Sequence, residues 1–369
     1  MSVSNSSGKA IKGRGTAAQP APRFLHSQKE VTSDGWDLGE EEIRAPQTTV
    51  LPESAKTILS WNDSPDIGFD RSLNPYRGCE HGCIYCYARP SHAYMDLSPG
   101  LDFETRLFYK KDAAALLEKT LRAPGYRPAM VSLGANTDPY QPIERTHRVT
   151  RDLLQVLSAY RHPVGIVSKG AALTGRDMDL LVPMGRQGLA MVAISITSLR
   201  NELKRTLEPR TASPAARLKI IRELSDAGVP TMVMVSPIIP FINDSELESI
   251  LEAAREAGAI AASYILLRLP HEIKQLFRDW LDTHHRLKAD HVMSLIRQSR
   301  GGRDYDSSFG KRHRGEGAFA ELINKRFETS CRRLGFQTAP SRRILLDNSQ
   351  FRVPLNPLFE QGPQLGLFG

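Results

Sequence analysis

Short apolar runs alternating with amphipathic helical patterns are the feature that most restricts the fold of this sequence. The apolar runs predict strands at 129–133, 163–167, 189–196, 230–235 and 262–267. Apolar residues spaced three and four apart predict helices at 112–122, 150–160, 176–181, 213–227, 245–257 and 271–285. Continuous apolar strands separated by helices are typical of a parallel sheet that helices cover.

A further strand near the first cysteines brings the count to about six β/α units, which predicts an α/β fold of the partial (β/α)6 TIM-like barrel type. A doubly wound open sheet has the same alternation and remains an alternative. Helical patterns at 287–299 and 316–334 would pack as an appended C-terminal cap. We expect a flexible N-terminal arm at 1–50, the barrel with its cap at 51–335, and an extended tail at 336–369.

Composition excludes some functions and leaves others open. Lys and Arg outnumber Asp and Glu by 49 to 41 over 369 residues, and this net charge of +8 permits but does not require contact with nucleic acid. No apolar run reaches the roughly 18–20 residues that cross a bilayer, and the first twenty residues lack the apolar core of a secretory signal. These features predict a cytoplasmic protein.

Three of the four cysteines lie within eight residues of one another. The segment 74–90 reads NPYRGCEHGCIYCYARP, which gives Cys79, Cys83 and Cys86 the spacing C-x3-C-x2-C. Gly78 and Gly82 free the backbone to wrap these three thiolates around one inorganic centre. Such crowding in a cytoplasmic chain indicates metal or redox chemistry rather than disulfides.

An iron–sulfur cluster, a zinc ion and a redox pair are the three interpretations of this spacing. The remaining cysteine, Cys331, is far away in sequence, so a local [4Fe–4S] cluster would keep one iron open for a ligand. Zinc would need His81 or His92 as a fourth ligand, and its usual second pair of ligands is missing from the sequence. A thioredoxin-like pair would leave Cys79 unexplained.

The cysteine spacing, with Tyr85 and Tyr87 flanking the last cysteine, resembles that of the radical S-adenosylmethionine (SAM) superfamily. The stretches NPYRGCEHGCIYCYARPSHAY, SLGANTDPYQPIE and LEPRTASPAARL are similar to its spore-photoproduct-lyase/DNA-repair-photolyase-like branch, and the resemblance covers about residues 60–335. It implies a [4Fe–4S] cluster on the three cysteines, with SAM chelated by the fourth iron. An electron from a donor such as flavodoxin or ferredoxin would then yield a 5′-deoxyadenosyl radical that abstracts hydrogen from a substrate.

The resemblance also implies a set of SAM contacts. Tyr85 and Tyr87 would pack beside the cluster and the adenine, Gly134, Asn136, Thr137 and Asp138 would receive the methionyl amino group, Lys169 would pair with the carboxylate, and Ser195 would contact the carboxylate or ribose. Each has a structural alternative, such as core packing, a turn cap or a solvated loop. In LEPRTASPAARL, Arg210 could clamp an anion. A structural Glu–Arg ion pair among Glu208, Arg210 and Arg217 is the simpler expectation.

Damaged DNA or nucleotides are the favoured substrate class, and no catalytic residue is assigned. Radical modification of RNA, a peptide or a small metabolite is one alternative, and a zinc-stabilised nucleic-acid-binding protein is another. Photoproduct lyase supplies a cysteine hydrogen donor after its cluster, whereas no cysteine lies between Cys86 and Cys331 here. That difference weakens thymine-dimer reversal as the reaction, and Cys331 is predicted to be a packing residue on a C-terminal helix.

The basic segment 297–314 carries Tyr305 and Phe309 among its arginines. A basic stretch with aromatic residues could follow a phosphate backbone and stack on a base. A solvated loop between helices is the alternative, so the segment predicts a DNA contact only in combination with the resemblance.

The chain ends in Gln364-Leu-Gly-Leu-Phe-Gly369, in which Gln364, Leu365, Leu367 and Phe368 resemble the short peptide that docks bacterial replication and repair proteins on the sliding clamp. An extended tail of this kind can fill apolar pockets on a partner without disturbing the fold. Docking of the tail on its own barrel is the alternative.

Overall fold

A computed structural model describes residues 11–24, 47–337 and 346–359. Within them, the β-strands are β1 Thr49–Glu53, β2 Leu59–Trp61, β3 Arg71–Leu73, β4 Tyr76–Arg77, β5 Arg106–Lys110, β6 Val131–Leu133, β7 Val164–Ser168, β8 Ala190–Ser195, β9 Thr231–Ile238 and β10 Ala261–Leu266. The α-helices are α1 Asp102–Thr105, α2 Ala113–Leu121, α3 Glu144–His147, α4 Val149–Ala159, α5 Met178–Arg186, α6 Asn201–Leu207, α7 Pro214–Asp226, α8 Leu247–Glu256, α9 Ile273–His284, α10 Ala289–Gln298 and α11 Gly317–Leu334.

The main sheet has seven strands in the order β10-β9-β8-β7-β6-β3-β2. Strands β3 and β6 to β10 are parallel, and β2 is an antiparallel strand at one edge. The six parallel strands follow one another across the sheet in chain order, without the reversal of order that defines a doubly wound sheet, and this confirms the partial (β/α)6 barrel. A smaller sheet, β1-β5-β4, flanks the chain where β4 leads into the cysteine segment.

Local signals in the sequence account for the helix bounds. The Ser213 hydroxyl caps α7 by accepting a hydrogen bond from the Ala216 amide at 3.2 Å. Gly228 and Gly258 follow α7 and α8 with φ of 88° and 105°, a left-handed conformation that only glycine adopts without strain. The predicted ends of these two helices are therefore confirmed.

The C-terminal helices pack in two places. Helices α9 and α10 share an apolar cluster with the cysteine segment, and its members include Ile84, Tyr85 and Phe277. Helix α11 packs against α8 and the main core, where Cys331 is buried. Of the two predicted cap helices, α10 therefore packs with the cysteine segment and α11 packs on the main core, and the packing role of Cys331 is confirmed.

Part of the expected N-terminal arm packs on the barrel. The Gly15 amide donates to Glu104 at 2.9 Å, the Leu101 amide donates to the Ala18 carbonyl at 3.1 Å, and Arg23 pairs with Glu272 at 3.2 Å. Residues 11–24 have no helical or strand periodicity, because their extended backbone is held by polar groups that are distant in sequence. Composition alone therefore predicted an arm where the structure has a docked segment.

Residues 346–359 run past the amino ends of the central strands. The Asp347 amide donates to the Gly188 carbonyl and the Arg352 amide to the Tyr160 carbonyl, at 2.9 and 3.0 Å. The segment ends at Phe359, whose amide donates to Glu118 at 2.6 Å. The predicted clamp peptide at 364–368 lies outside the described residues.

None of the helices that the structure describes has the length and hydropathy to span a membrane.

Candidate active site

The cysteine loop, residues 78–88, leaves β4 at the carboxyl end of the parallel strand β3. The Cys79 amide donates to the Phe103 carbonyl at 2.9 Å, and the Cys86 amide donates to the Cys83 carbonyl at 3.2 Å. Gly78 and Gly82 have φ of 73° and 67°. A Cβ on Gly78 would stand 2.5 Å from Leu107 and one on Gly82 would stand 2.7 Å from Glu104, so both turns require glycine.

The three thiols of this loop form one buried group. Cys79 and Cys83 are buried and Cys86 is half-buried, and the charges of Cys83 and Cys86 both act on Cys79. Burial raises the pKa of Cys79 well above its ordinary value and raises the pKa of Cys83 to about 12. Burial thus favours the neutral thiol at Cys79 and Cys83, and cationic iron would compensate the charge of the thiolates. With Cys86 on the same loop, the three residues fit a [4Fe–4S] cluster.

The two histidines that could complete a zinc site are both engaged with other groups of the protein. The His81 Nδ1 lies 3.3 Å from Asp138, and the His92 Nε2 lies 3.0 Å from the Arg106 carbonyl. Across residues 11–24, 47–337 and 346–359, no three or more Cys, His, Asp or Glu side chains meet the geometry for one metal ion. A four-iron cluster differs because each thiolate binds a different iron.

Side chains from other loops hold the cysteine loop in place. Gln141 accepts from the Glu80 amide at 3.0 Å and donates to the Gly78 carbonyl at 3.1 Å. Arg210 pairs with Glu80 at 3.0 Å. Arg210 therefore makes a structural ion pair, and Gln141 is a positioning residue that the sequence analysis did not find.

A second support lies on the other side of the loop. The Arg89 Nε donates to the Cys83 carbonyl at 2.9 Å, and its guanidinium forms an ion pair with Glu104 in which both side chains are fully buried. The same carboxylate accepts from the docked N-terminal segment at Gly15. Sequence reasoning missed Arg89 and Glu104, although Arg89 lies three residues after Cys86 in the quoted segment 74–90 and its charge was the available signal.

The predicted SAM-binding stretch at the end of β6 lies beside the cysteine loop. Gly134 has φ of 91°, and a Cβ there would stand 2.6 Å from the Val167 carbonyl. Thr137 is buried and donates to the Tyr76 carbonyl at 3.0 Å, whereas Asn136 is exposed and its amide is held by Asn74 at 2.9 Å. The backbone around Gly134 and the side chain of Asn136 are thus the parts of this stretch with free surface.

Asp138 has its carboxylate saturated by the protein. It accepts from the Tyr140 amide, the Ser168 hydroxyl and the Lys169 amide at 2.9, 2.7 and 2.6 Å, and it pairs with His81 at 3.3 Å. Burial alone would raise the pKa of Asp138, but His81 and these hydrogen bonds lower it to about 2. The geometry gives Asp138 a positioning role for the cysteine loop.

Lys169 directly follows β7, and Ser195 is the last residue of β8. Both therefore lie at the edge where the parallel strands have their carboxyl ends. The Lys169 Nζ lies 6.0 Å from the centroid of the Tyr85 ring. Burial acts to lower the pKa of Lys169, but Cys83 and Glu208 raise it overall, so the amine is protonated at neutral pH. Ser195 is buried, and its hydroxyl donates to the Ser236 carbonyl at 3.3 Å. This hydrogen bond satisfies the hydroxyl without a contact to SAM.

The two tyrosines of the motif have different environments. Tyr85 is buried and its hydroxyl donates to Glu208. Tyr87 is 46% exposed, its hydroxyl donates to the Ala135 carbonyl, and its ring lies 5.4 Å from the Arg268 guanidinium. Tyr85 is therefore a packing residue of the loop, and Tyr87 is the one with a free face.

Glu208 and Arg217 form a fully buried ion pair behind Tyr85. Glu208 also accepts from the Thr197 hydroxyl at 2.7 Å, and Arg217 donates to the Ser195 carbonyl at 2.8 Å. Burial would raise the pKa of Glu208, but Arg217 and Lys169 lower it to about 2. The expected structural ion pair is present, and it ties the cysteine loop to β8.

We expect Glu208→Gln to destabilise the protein by about 3 kcal/mol or more, because it leaves Arg217 charged and unpaired in the core. Since the folded pKa of Glu208 is depressed, its stabilisation is present above its ordinary pKa and is lost as pH falls through about 2. Urea unfolding at pH 7 measures the first effect, and a smaller loss of stability below pH 4 in the variant measures the second. Glu252→Gln in the exposed pair with Arg333 is the control, at less than about 1 kcal/mol.

Comparison with known proteins identifies the family. The sequence model of the Radical SAM superfamily matches residues 73–254. An uncharacterized protein of Mycobacterium tuberculosis is 38% identical over 264 residues, which cover 69% of this chain and 77% of that protein. An uncharacterized protein of Methanocaldococcus jannaschii is 26% identical over 174 residues, which cover 47% of this chain and 62% of that protein.

Solved structures show the same fold. Spore photoproduct lyase complexed with dinucleoside spore photoproduct superposes with a TM-score of 0.58 at 16% identity, covering 81% of this chain and 85% of that chain. A double mutant of that lyase has been solved with bound AdoMet and dinucleoside spore photoproduct, again with a TM-score of 0.58 and equal coverage. The likeness at this identity concerns the fold.

The chain belongs to the radical SAM superfamily and is a radical SAM enzyme. Members of this superfamily use a [4Fe–4S] cluster and SAM, and these are the cofactors of this protein. Such enzymes also need a reductant, because the cluster acts in its reduced state.

Proposed function

We propose that this enzyme uses its SAM-derived radical on damaged DNA or on damaged nucleotides. The observation that carries the proposal is the half-exposed Tyr87 beside the cysteine loop, whose ring faces the Arg268 guanidinium. The guanidinium adjoins the loop from which the reaction would start and suits a phosphate, and the Tyr305 ring, 5.9 Å from the same guanidinium, suits a base. The likeness to a lyase solved with a dinucleoside photoproduct supports the same substrate class.

In this proposal, Cys79, Cys83 and Cys86 would hold the cluster, and its remaining iron would be open to SAM. When bound, the cofactors would supply reductive cleavage of SAM and a hydrogen-abstracting radical. The protonated Lys169 would pair with the SAM carboxylate, and Tyr87 would pack on the adenine side. Asn136 and the backbone at Gly134 would receive the amino group, while His81, Asp138 and Gln141 keep the cysteine loop in position.

The apolar cluster under α9 and α10 keeps water away from the cysteine loop. Ile84 and Tyr85 of the loop are buried in this cluster together with Leu276 and Phe277 of α9. This packing excludes water from one flank of the cysteine loop, and a dry site protects a reactive intermediate from side reactions.

Hydrogen transfer from a labelled substrate tests the proposal. The anaerobically reconstituted enzyme, reduced with dithionite, is given SAM and deuterated thymidine oligonucleotides with or without ultraviolet photoproducts. We expect deuterium in 5′-deoxyadenosine, detected by mass spectrometry, only with the damaged strand. Deuterium transfer from matched RNA or peptide substrates, with none from damaged DNA, would overturn the DNA assignment and favour the alternative radical modification.

We also propose that the tail beyond the catalytic domain, which we place at 51–335, docks on the sliding clamp. Removal of residues 364–369 deletes Gln364, Leu365, Leu367 and Phe368 and should abolish capture of the protein by immobilised clamp, because the pockets then have no apolar occupant. A pull-down with purified proteins measures this, and replacement of Gln361 by alanine is the control. Equal capture of the truncated chain would contradict the docking proposal.

A further inference from the structure

Arg268, just beyond β10, is a guanidinium whose partners are all neutral. Its Nη1 lies 3.0 Å from the His313 Nε2, and its Nη2 donates to the Tyr305 hydroxyl at 3.3 Å. The rings of Tyr87 and Tyr305 lie 5.4 and 5.9 Å from it. Its Nε is buried without a hydrogen-bond partner in the described part of the chain.

His313 is held in its neutral form. Burial, followed by the charges of Arg268 and Arg312, lowers the pKa of His313 to about 4. A neutral imidazole accepts a hydrogen bond from Arg268 and adds no charge of its own. It therefore fixes the direction of the guanidinium without compensating it.

A second arginine adds to the positive charge. The buried Arg300 side chain donates only to carbonyl groups, those of Leu266, Leu267 and Lys311, at 3.3, 2.9 and 2.6 Å. Burial, followed by the charge of Arg268, lowers the pKa of Arg300 to about 10. Neither forms an ion pair within residues 11–24, 47–337 and 346–359. Four other cations of this region, Arg278, Arg297, Lys311 and Arg312, have carboxylate partners, whereas Arg303 and Arg314 have none among the described residues.

The position of Arg268 links this charge to the reaction centre. One face of the guanidinium is against Tyr87, the residue that follows Cys86. Tyr305 and the exposed Phe309 lie on the same segment, 297–314, that supplies His313. An anion bound at Arg268 would thus lie one aromatic ring from the cysteine loop, with further aromatic faces beside it.

We propose that Arg268, oriented by His313 and Tyr305, binds a backbone phosphate of a nucleic-acid strand whose flanking base stacks on the aromatic residues of segment 297–314. This inference rests on the proposed function and names the element that would hold its substrate. A planar guanidinium matches two phosphate oxygens, and one phosphodiester supplies the missing negative charge. The aromatic faces favour a nucleic acid over an acidic peptide, because every base can stack on them.

Fluorescence anisotropy with a labelled twelve-nucleotide thymidine strand tests the site, at several salt concentrations. Arg268→Gln should weaken binding about tenfold and lower the salt slope by about one, because one phosphate contact is lost. Arg332→Gln removes the same charge from an exposed position on α11 and should change the affinity less than about twofold. Arg268→Lys should restore only part of the affinity, since an ammonium cannot bind two oxygens in one plane.

Equal affinities of the Arg268→Gln and Arg332→Gln variants would overturn the proposal. Competition by polyglutamate as strong as that by unlabelled oligonucleotide would also overturn it in favour of an acidic peptide. Iron content and SAM cleavage without substrate should be unchanged in the control variant Arg332→Gln. If the wild-type enzyme binds the strand through Arg268 but transfers no hydrogen from damaged DNA, the phosphate site stands and the proposed reaction fails.

Discussion

Replacement of Cys83 by alanine should leave the protein without its cluster and without reductive cleavage of SAM. Loss of a residue that merely supports a metal ligand typically costs 10–100-fold in affinity or activity, so loss of a ligand should exceed about a hundredfold. The measurement is iron and acid-labile sulfide after anaerobic purification, with 5′-deoxyadenosine production under dithionite. We expect about four irons and four sulfides in the wild type and neither in the variant.

Cys331→Ala is the matched control, because it removes a thiol of the same kind from a different place. Cys331 is buried in the main core on α11 and does not belong to the apolar clusters around the cysteine loop. Its replacement should cost about 1 kcal/mol of stability and leave iron, sulfide and SAM cleavage intact. Retention of four irons by Cys83→Ala, or stoichiometric zinc without sulfide in the wild type, would contradict the cluster assignment.

The central sheet could be predicted because its strands are buried on both faces. Such strands are continuous apolar runs, and the interval 189–196 therefore predicts β8, which runs from Ala190 to Ser195. The small sheet could not be predicted in this way. Strand β1, Thr49–Glu53, is largely exposed and pairs with Arg106–Lys110, so neither an apolar pattern nor a short loop reveals it.

The cysteines themselves were predictable, whereas their supports were not. Spacing along the chain identifies Cys79, Cys83 and Cys86 because all three lie on one loop. The contacts of His81 with Asp138, and of the Gly78 carbonyl with Gln141, join residues about sixty positions apart. A carboxylate at a strand end predicts a ligand contact, yet folding satisfied Asp138 with donors of the protein, and only coordinates distinguish the two outcomes.

Lys169→Gln is expected to raise the KM for SAM by about 10–100-fold while leaving the iron content unchanged. The Lys169 amine is protonated and makes no hydrogen bond within the described residues, although Tyr85 packs beside it. A charge-assisted hydrogen bond to a carboxylate contributes about 1.5–3 kcal/mol, which corresponds to this range. Initial rates of 5′-deoxyadenosine formation against SAM concentration, with iron measured on the same samples, give the result.

The control must separate cofactor binding from charge balance, because Glu208 also lies near Lys169. Lys204→Gln removes another cation that acts on Glu208, but the Lys204 amine is already engaged with the Pro209 carbonyl at 2.9 Å. It should leave the KM within about twofold of wild type. If Lys169→Gln lowers stability and iron content but leaves the KM for SAM unchanged, the role of Lys169 is to compensate the charge of the buried Glu208, and SAM binds through other groups. A raised KM with intact iron and stability assigns the amine to the cofactor.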